Sequence, residues 1–212
     1  MSQRSEVMAR IRELKLVAVV RSTAEQVEPV VRALLEGGVQ AIEITFSVPR
    51  APEMIVMVRE RFGEQVLLGA GTVLDAQKAN DAIAAGARYI VAPGTDLEVV
   101  RLCNARDVAV VPGAFTPTEI ANAWRSGADC VKLFPAGTLG IPYLKAIRAP
   151  MPDIPIMPTG GVDVDNAADW LRAGAVALGV GSKLVLKDAL AAGDYARITE
   201  RARQFLEAIS KA

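Results

Sequence analysis

Four segments of the chain share one design. LLEGGVQAIEI, IAAGARYIVA, WRSGADCVKL and LRAGAVALGV each run from the end of a helical pattern, through glycine, into a short apolar stretch. Their turn glycines, Gly38, Gly86, Gly127 and Gly174, lie 41 to 48 residues apart. Between these units lie apolar runs entered from charged or proline-containing turns: FGEQVLLG, ARDVAVV and MPDIPIM. With Leu16–Val20 at the start, eight apolar runs result: the others are Ala41–Phe46, Val66–Ala70, Tyr89–Ala92, Val108–Val111, Cys130–Phe134, Ile154–Met157 and Ala177–Val180. Runs this short and continuously apolar suit strands buried on both faces. They alternate with amphipathic patterns such as TAEQVEPVVRALLEGG and DAQKANDAIAAGA, which predicts a parallel sheet covered by helices. Two strands per repeat and four repeats give eight strands. The expected fold is therefore α/β, a single-domain (β/α)8 TIM barrel over residues 1–212 with an extra N-terminal helix, in preference to an open doubly wound sheet.

Two helix starts fit that frame. STAEQ (Ser22 with Glu25) and TPTE (Thr116 with Glu119, Pro117 in the first turn) both read as capping boxes. No Ser/Gly-rich linker divides the chain.

Composition narrows the function. Lys plus Arg and Asp plus Glu number 24 each, so no bulk charge points to nucleic acid or to an anionic membrane. The N-terminus, MSQRSEVMARIRELK, has no apolar signal core, and no run reaches the roughly 18–20 residues of a spanning helix, so a cytoplasmic chain is expected. Cys103 and Cys130 lack CxxC spacing and read as buried free thiols. There is no histidine. Acid–base chemistry near neutrality then falls to Glu, Asp, Lys, Tyr, Cys or water, and a His-rich zinc site is excluded.

Two charges sit where apolar side chains are expected. In the sixth run, strand alternation puts Cys130, Lys132 and Phe134 on one side and Val131 and Leu133 on the other. The outward side of a barrel packs on helices, so Lys132 is assigned to the interior, below the C-terminal mouth where such barrels carry their active sites. In the second run, Ala41, Glu43 and Thr45 share one face, which places Glu43 inside as well. One reading is a structural ion pair, although such pairs contribute little net stability. The other is chemical: a desolvated lysine offers a neutral amine for attack on a ketone, with Glu43 as the proton carrier.

The last two loops suggest an anion. PTGGV (158–162) follows the seventh run and GVGSKL (179–184) the eighth. Gly160 and Gly161 let backbone N–H groups approach a phosphate, and Ser182 adds a hydroxyl; barrels often bind phosphate in these two loops. The competing reading is two ordinary glycine turns. Arg21, Thr72, Pro93 and Thr159 also fall at the ends of runs. Arg21 can pair with a carboxylate, Thr72 and Thr159 can hydrogen-bond one, and Pro93 is more a shaper of its loop.

The ordered set VAVVR, GGVQAIEIT, GAGTVL, VPG, VKLFPA, PTGG and GVGS resembles the 2-keto-3-deoxy-6-phosphogluconate (KDPG) aldolase / 4-hydroxy-2-oxoglutarate aldolase family. The resemblance spans nearly the whole chain. It implies a class I aldolase of the Entner–Doudoroff route that cleaves KDPG reversibly to pyruvate and glyceraldehyde 3-phosphate. It implies Lys132 as the Schiff-base residue and Glu43 as general acid/base. Arg21, Thr72, Pro93, Phe134 and Thr159 would contact substrate, and Gly160, Gly161 and Ser182 the phosphate. A homotrimer is implied, with no metal and no cofactor. One departure stands out: many members carry arginine four residues after the glutamate, where this chain has Ser47, and Arg50 lies three positions further on.

Other readings remain open at this level. The sister 2-keto-3-deoxy-6-phosphogalactonate (KDPGal) aldolases share the motifs, and 4-hydroxy-2-oxoglutarate is an alternative substrate. A sugar-phosphate epimerase or isomerase would use Lys132 for charge alone. A non-catalytic trimeric scaffold or metabolite-binding barrel would have no need of a buried lysine.

Overall fold

The computed structural model describes residues 2–212. The fold is α/β, built on two curled parallel sheets. Nine strand segments contribute: β1 (Leu16–Val20), β2 (Ala41–Thr45), β3 (Leu67–Gly71), β4 (Tyr89–Val91), β5 (Ala109–Val111), β6 (Gly113–Ala114), β7 (Val131–Leu133), β8 (Ile156–Pro158) and β9 (Leu178–Val180). Six run in the order β5–β4–β3–β2–β1–β9, and the others in the order β6–β7–β8. Backbone contacts join the sheets at both seams. Asp129 N–H donates to Val110 O at 3.0 Å on one side, and Val176 N–H donates to Ile156 O at 3.0 Å, beside a Thr159–Gly179 bridge, on the other.

The expectation of eight strands differs from the nine segments at one residue. Pro112, directly after the fifth run, ends it because it has no N–H to place in a ladder, and the added segment β6 follows. Before it, β5 pairs with β4; after it, β6 pairs with β7, and the Pro112 carbonyl accepts from Lys132 N–H at 2.9 Å. The proline thus marks where the chain changes sheets.

Helices alternate with the strands: α1 (Gln3–Leu14), α2 (Ala24–Glu36), α3 (Ala51–Phe62), α4 (Ala76–Ala85), α5 (Leu97–Ala105), α6 (Pro117–Arg125), α7 (Gly140–Arg148), α8 (Val164–Arg172), α9 (Lys187–Ala192) and α10 (Tyr195–Ile209). The four repeat glycines that lead out of helices all have positive φ, from 90° at Gly38 to 111° at Gly86, a region that costs other residues a Cβ clash. The Thr116–Glu119 capping box forms, with Thr116 N–H donating to the Glu119 carboxylate at 2.8 Å. The other box lies one residue later than expected. Thr23, not Ser22, caps α2, and its N–H donates to Gln26 Oε1 at 3.3 Å. Both residue types cap well; Ser22 is turned inward instead and is buried.

Period-two alternation splits the strands between two apolar clusters. Ile42, Ile44, Val131 and Leu133 join the helix-facing cluster, whereas Ala41 and Cys130 join an inner one with Val17, Leu67, Tyr89, Ala109, Met157 and Ala177. Burying each large aliphatic side chain contributes roughly 1.5–3 kcal/mol, so the helix-facing cluster is the main source of stability. The inner cluster sits at the start of the strands and takes in Val7, Met8 and Ile11 of α1. Asp129 anchors that helix: its carboxylate accepts from Arg4 Nε and from Val110 N–H, both at 2.9 Å, while Arg4 also donates to Gly127 O at 2.7 Å. Cys103 and Cys130 are free and buried, and burial pushes both thiols up to about 12. No helix among the described residues is long and apolar enough to cross a membrane.

Candidate active site

Lys132 is the central residue of β7, flanked in register by Gly113 of β6 and Met157 of β8. Its neighbours Val131 and Leu133 face the helices, so the lysine faces inward and is only 3% exposed. Nζ lies 5.2 Å from the centroid of the Phe134 ring. Burial holds the amine below its ordinary value, assisted by the Arg21 charge and opposed by Glu43.

Glu43 is the central residue of β2, between Val19 of β1 and Gly69 of β3, and is 1% exposed. Neither carboxylate oxygen has a hydrogen-bond partner among the described residues. The carboxyl lies over Gly71, where an added Cβ would stand 2.4 Å from Oε1. Burial pushes this carboxyl above its ordinary value, against the opposing pull of Lys132 and Arg21. The two charges therefore sense each other across the interior without a hydrogen bond. A structural ion pair, which needs satisfied donors and acceptors to repay desolvation, does not describe them.

The phosphate-type loops meet at a single cavity. Phe134, Thr159, Gly160, Gly161, Ser182 and Arg21 all line it. Gly160 and Gly161 have φ of 83° and 81°, and a Cβ at Gly161 would lie 2.4 Å from the Gly137 Cα. Glycine is thus required there twice, by conformation and by the approach of the β7–α7 loop. Thr159 is buried and its hydroxyl has no partner among the described residues; it sits over Gly179, where a Cβ would be 2.2 Å from Oγ1.

The remaining candidates sit nearby. Phe134 also lines a second cavity, together with Pro93. Thr72 follows β3 directly with φ of 57°, a left-handed conformation that is an outlier for a β-branched residue. Lys132, Glu43 and Thr72 line neither cavity, and the two charged groups lie deeper. Ser47 is exposed, and its hydroxyl pairs with Thr45 Oγ1 at 2.9 Å. Arg50 shares a separate rim cavity with Arg21.

Residues 7–201 match the KDPG and KHG aldolase family. The chain belongs to the KDPG and KHG aldolase family. It is 36% identical to the 2-dehydro-3-deoxy-phosphogluconate aldolase of Treponema pallidum, over 96% of both chains. It is 33% identical to the 2-dehydro-3-deoxy-6-phosphogalactonate aldolase of Escherichia coli, covering 94% of this chain and 97% of that one. Among solved structures, a KDPG aldolase from Legionella pneumophila with pyruvate captured as a covalent carbinolamine superposes with a TM-score of 0.87. It is 29% identical and covers 93% of this chain and 96% of that one.

In this member of the KDPG and KHG aldolase family, sequence reasoning missed two interior hydroxyls. The Tyr89 hydroxyl is fully buried and unpartnered, and its own burial and the Glu43 charge raise it well above the ordinary phenol. Ser22 is the second. Alternation within RYIVA could have flagged Tyr89, since it occupies the inward phase shared with Val91.

Proposed function

We propose that this chain is a class I aldolase that cleaves KDPG reversibly to pyruvate and glyceraldehyde 3-phosphate through an imine on Lys132. One observation carries the reading: an inward-facing lysine whose burial favours the neutral amine, close enough to an unpartnered carboxyl for each to perturb the other. The neutral amine attacks the C2 ketone, and the carbinolamine loses water to give a protonated imine. Removal of the C4 hydroxyl proton lets the C3–C4 bond break, with its electron pair moving into the imine to form an enamine. The aldehyde departs, the enamine is protonated at C3, and hydrolysis returns pyruvate and the amine. Glu43, whose carboxyl burial pushes above its ordinary value, is the general acid/base.

Thr72, Pro93, Phe134 and Thr159 bound the pyruvate end, and Gly160, Gly161 and Ser182 receive the phosphate. Arg21, at the rim of that cavity, supplies positive charge to the substrate. The KDPGal and 4-hydroxy-2-oxoglutarate substrates are the alternatives, and both retain the same imine chemistry. The seam hydrogen bonds support a closed (β/α)8 barrel with α1 added, and the continuous helix-facing cluster supports one domain over 1–212. Assembly as a homotrimer in the cytoplasm goes with the same family reading.

Incubation with pyruvate and borohydride, followed by mass spectrometry, tests the reading directly. A reduced adduct on Lys132 is expected. Its absence, where a known Schiff-base enzyme traps, would sink the aldolase assignment in favour of an isomerase or a non-catalytic barrel.

A further inference from the structure

Lys183 follows the phosphate-loop Ser182, and the function described so far leaves it unused. It lines the same cavity as Thr159, Gly160, Gly161, Ser182 and Arg21. Its Nζ is 2.9 Å from Asp163 Oδ2, while Arg201 of α10 binds the other oxygen, Asp163 Oδ1. One carboxylate is therefore shared by two cations, and the cluster keeps a net positive charge beside the glycine loop.

The same cluster is tied to both loops. Asp163 caps α8, and its N–H donates to Asn166 Oδ1 at 2.8 Å; Asn166 Nδ2 in turn donates to Gly161 O at 3.0 Å. Arg201 Nε donates to Lys183 O at 2.9 Å, which fixes the backbone of the 179–184 loop. Arg201 and Asp163 are mostly buried, with side-chain exposures of 25% and 23%, whereas Lys183 is 58% exposed. Lys183 is the most exposed of the three. It can leave Asp163 without stranding a buried charge, because Arg201 stays paired. An exposed ion pair of this kind contributes little to stability, so its exchange for another anion is not costly. Thr159 lines the same cavity, and its buried hydroxyl has no hydrogen-bond partner among the described residues.

We infer that Lys183 is a specificity-determining residue, which exchanges its Asp163 partner for the phosphate of a phosphorylated substrate and, with Arg21, matches the two negative charges of a phosphomonoester. Asp163 and Arg201 are positioning residues that hold Lys183 poised between the two loops. The inference rests on the aldolase reading for the identity of the substrate, but not for the anion site itself.

The test has two arms. Calorimetric titration with inorganic phosphate at constant ionic strength measures the site without any turnover. Lys183→Ala should weaken phosphate binding about tenfold, as expected for loss of a charge-assisted hydrogen bond, and Lys183→Arg should restore most of it. In turnover, the ratio of kcat/KM for KDPG to that for unphosphorylated 4-hydroxy-2-oxoglutarate should fall about tenfold in Lys183→Ala. Borohydride trapping of pyruvate on Lys132 should persist in that variant. Unchanged phosphate affinity, or an equal loss on both substrates, would overturn the role of Lys183. A wild type that binds phosphate yet traps no pyruvate would instead overturn the aldolase reading and leave the anion site standing.

Discussion

The carboxyl of Glu43 rests on Gly71, and an alanine methyl at position 71 would meet Oε1 at 2.4 Å from its Cβ. Because β2 and β3 are in register here, with Thr45 opposite Gly71, the methyl has no strand slack to move into. Gly71→Ala should therefore displace the carboxyl by a fraction of an ångström to an ångström. For a positioned proton carrier, that costs on the order of 100-fold in kcat. The imine itself should still trap with borohydride, so kcat and trapping should separate. A kcat within twofold of wild type would show that the glycine contact does not set the proton path.

Removing the amine should have opposite effects on chemistry and stability. Lys132→Met is expected to abolish trapping and turnover, because no other inward amine is available in β7. Yet the substitution also removes a buried polar amine that has no ion-pair partner among the described residues. The protein should unfold at an equal or higher urea concentration than wild type, with a gain of up to about 1 kcal/mol. A large loss of stability would mean that the lysine is structural after all.

Stability should respond to pH in two directions. Glu43 in the folded chain has a value above its ordinary 4.5, so above that pH the folded state binds more protons than the unfolded one. Stability then falls as pH rises from 4.5 to the folded value. Lys132 is held below 10.5, so between its folded value and 10.5 the unfolded state binds more protons and stability rises with pH. Urea midpoints measured across this range should show both slopes. Glu43→Gln should flatten the acidic one and Lys132→Met the alkaline one; an unaltered profile in both variants would contradict the burial argument.

Asp129 offers a purely structural test. Asp129→Ala removes the acceptor of Arg4 Nε and of Val110 N–H together. Leaving those donors unmade should cost about 1–3 kcal/mol, seen as a lower thermal midpoint, with α1 exchanging its amide hydrogens earlier than the strands. Equal protection of α1 in the variant would show that packing by Val7, Met8 and Ile11 alone retains the helix.

Much of the site could be read from the chain because strand alternation is rigid. Once Val131 and Leu133 are assigned to the helices, Lys132 has one direction left, and the same logic fixes Glu43 between Ile42 and Ile44. The paired glycines of PTGG were legible because adjacent glycines let backbone N–H groups approach an anion, and both adopt positive φ in the structure. What escaped was tertiary. Ser22 and Thr23 are equally good caps locally, and only the inward pull of the fold chooses Thr23. The short segment after Pro112 was not visible as a separate strand, since its pairing is set by β7. The Asp163–Lys183–Arg201 cluster joins residues from three separate elements, and no local pattern announces such a meeting.

Helix α1 brings Val7, Met8 and Ile11 into the inner cluster at the start of the strands. That packing fills the interior at the strand starts with apolar side chains and leaves the strand ends to the polar loops. On the proposed aldolase reading, a substrate bonded to Lys132 at its second carbon would extend towards Ser182 with its phosphate end. The aldehyde half would then leave first, while the three-carbon half is still bonded to the amine. In the reverse direction the keto acid would bond first and meet the aldehyde as its enamine.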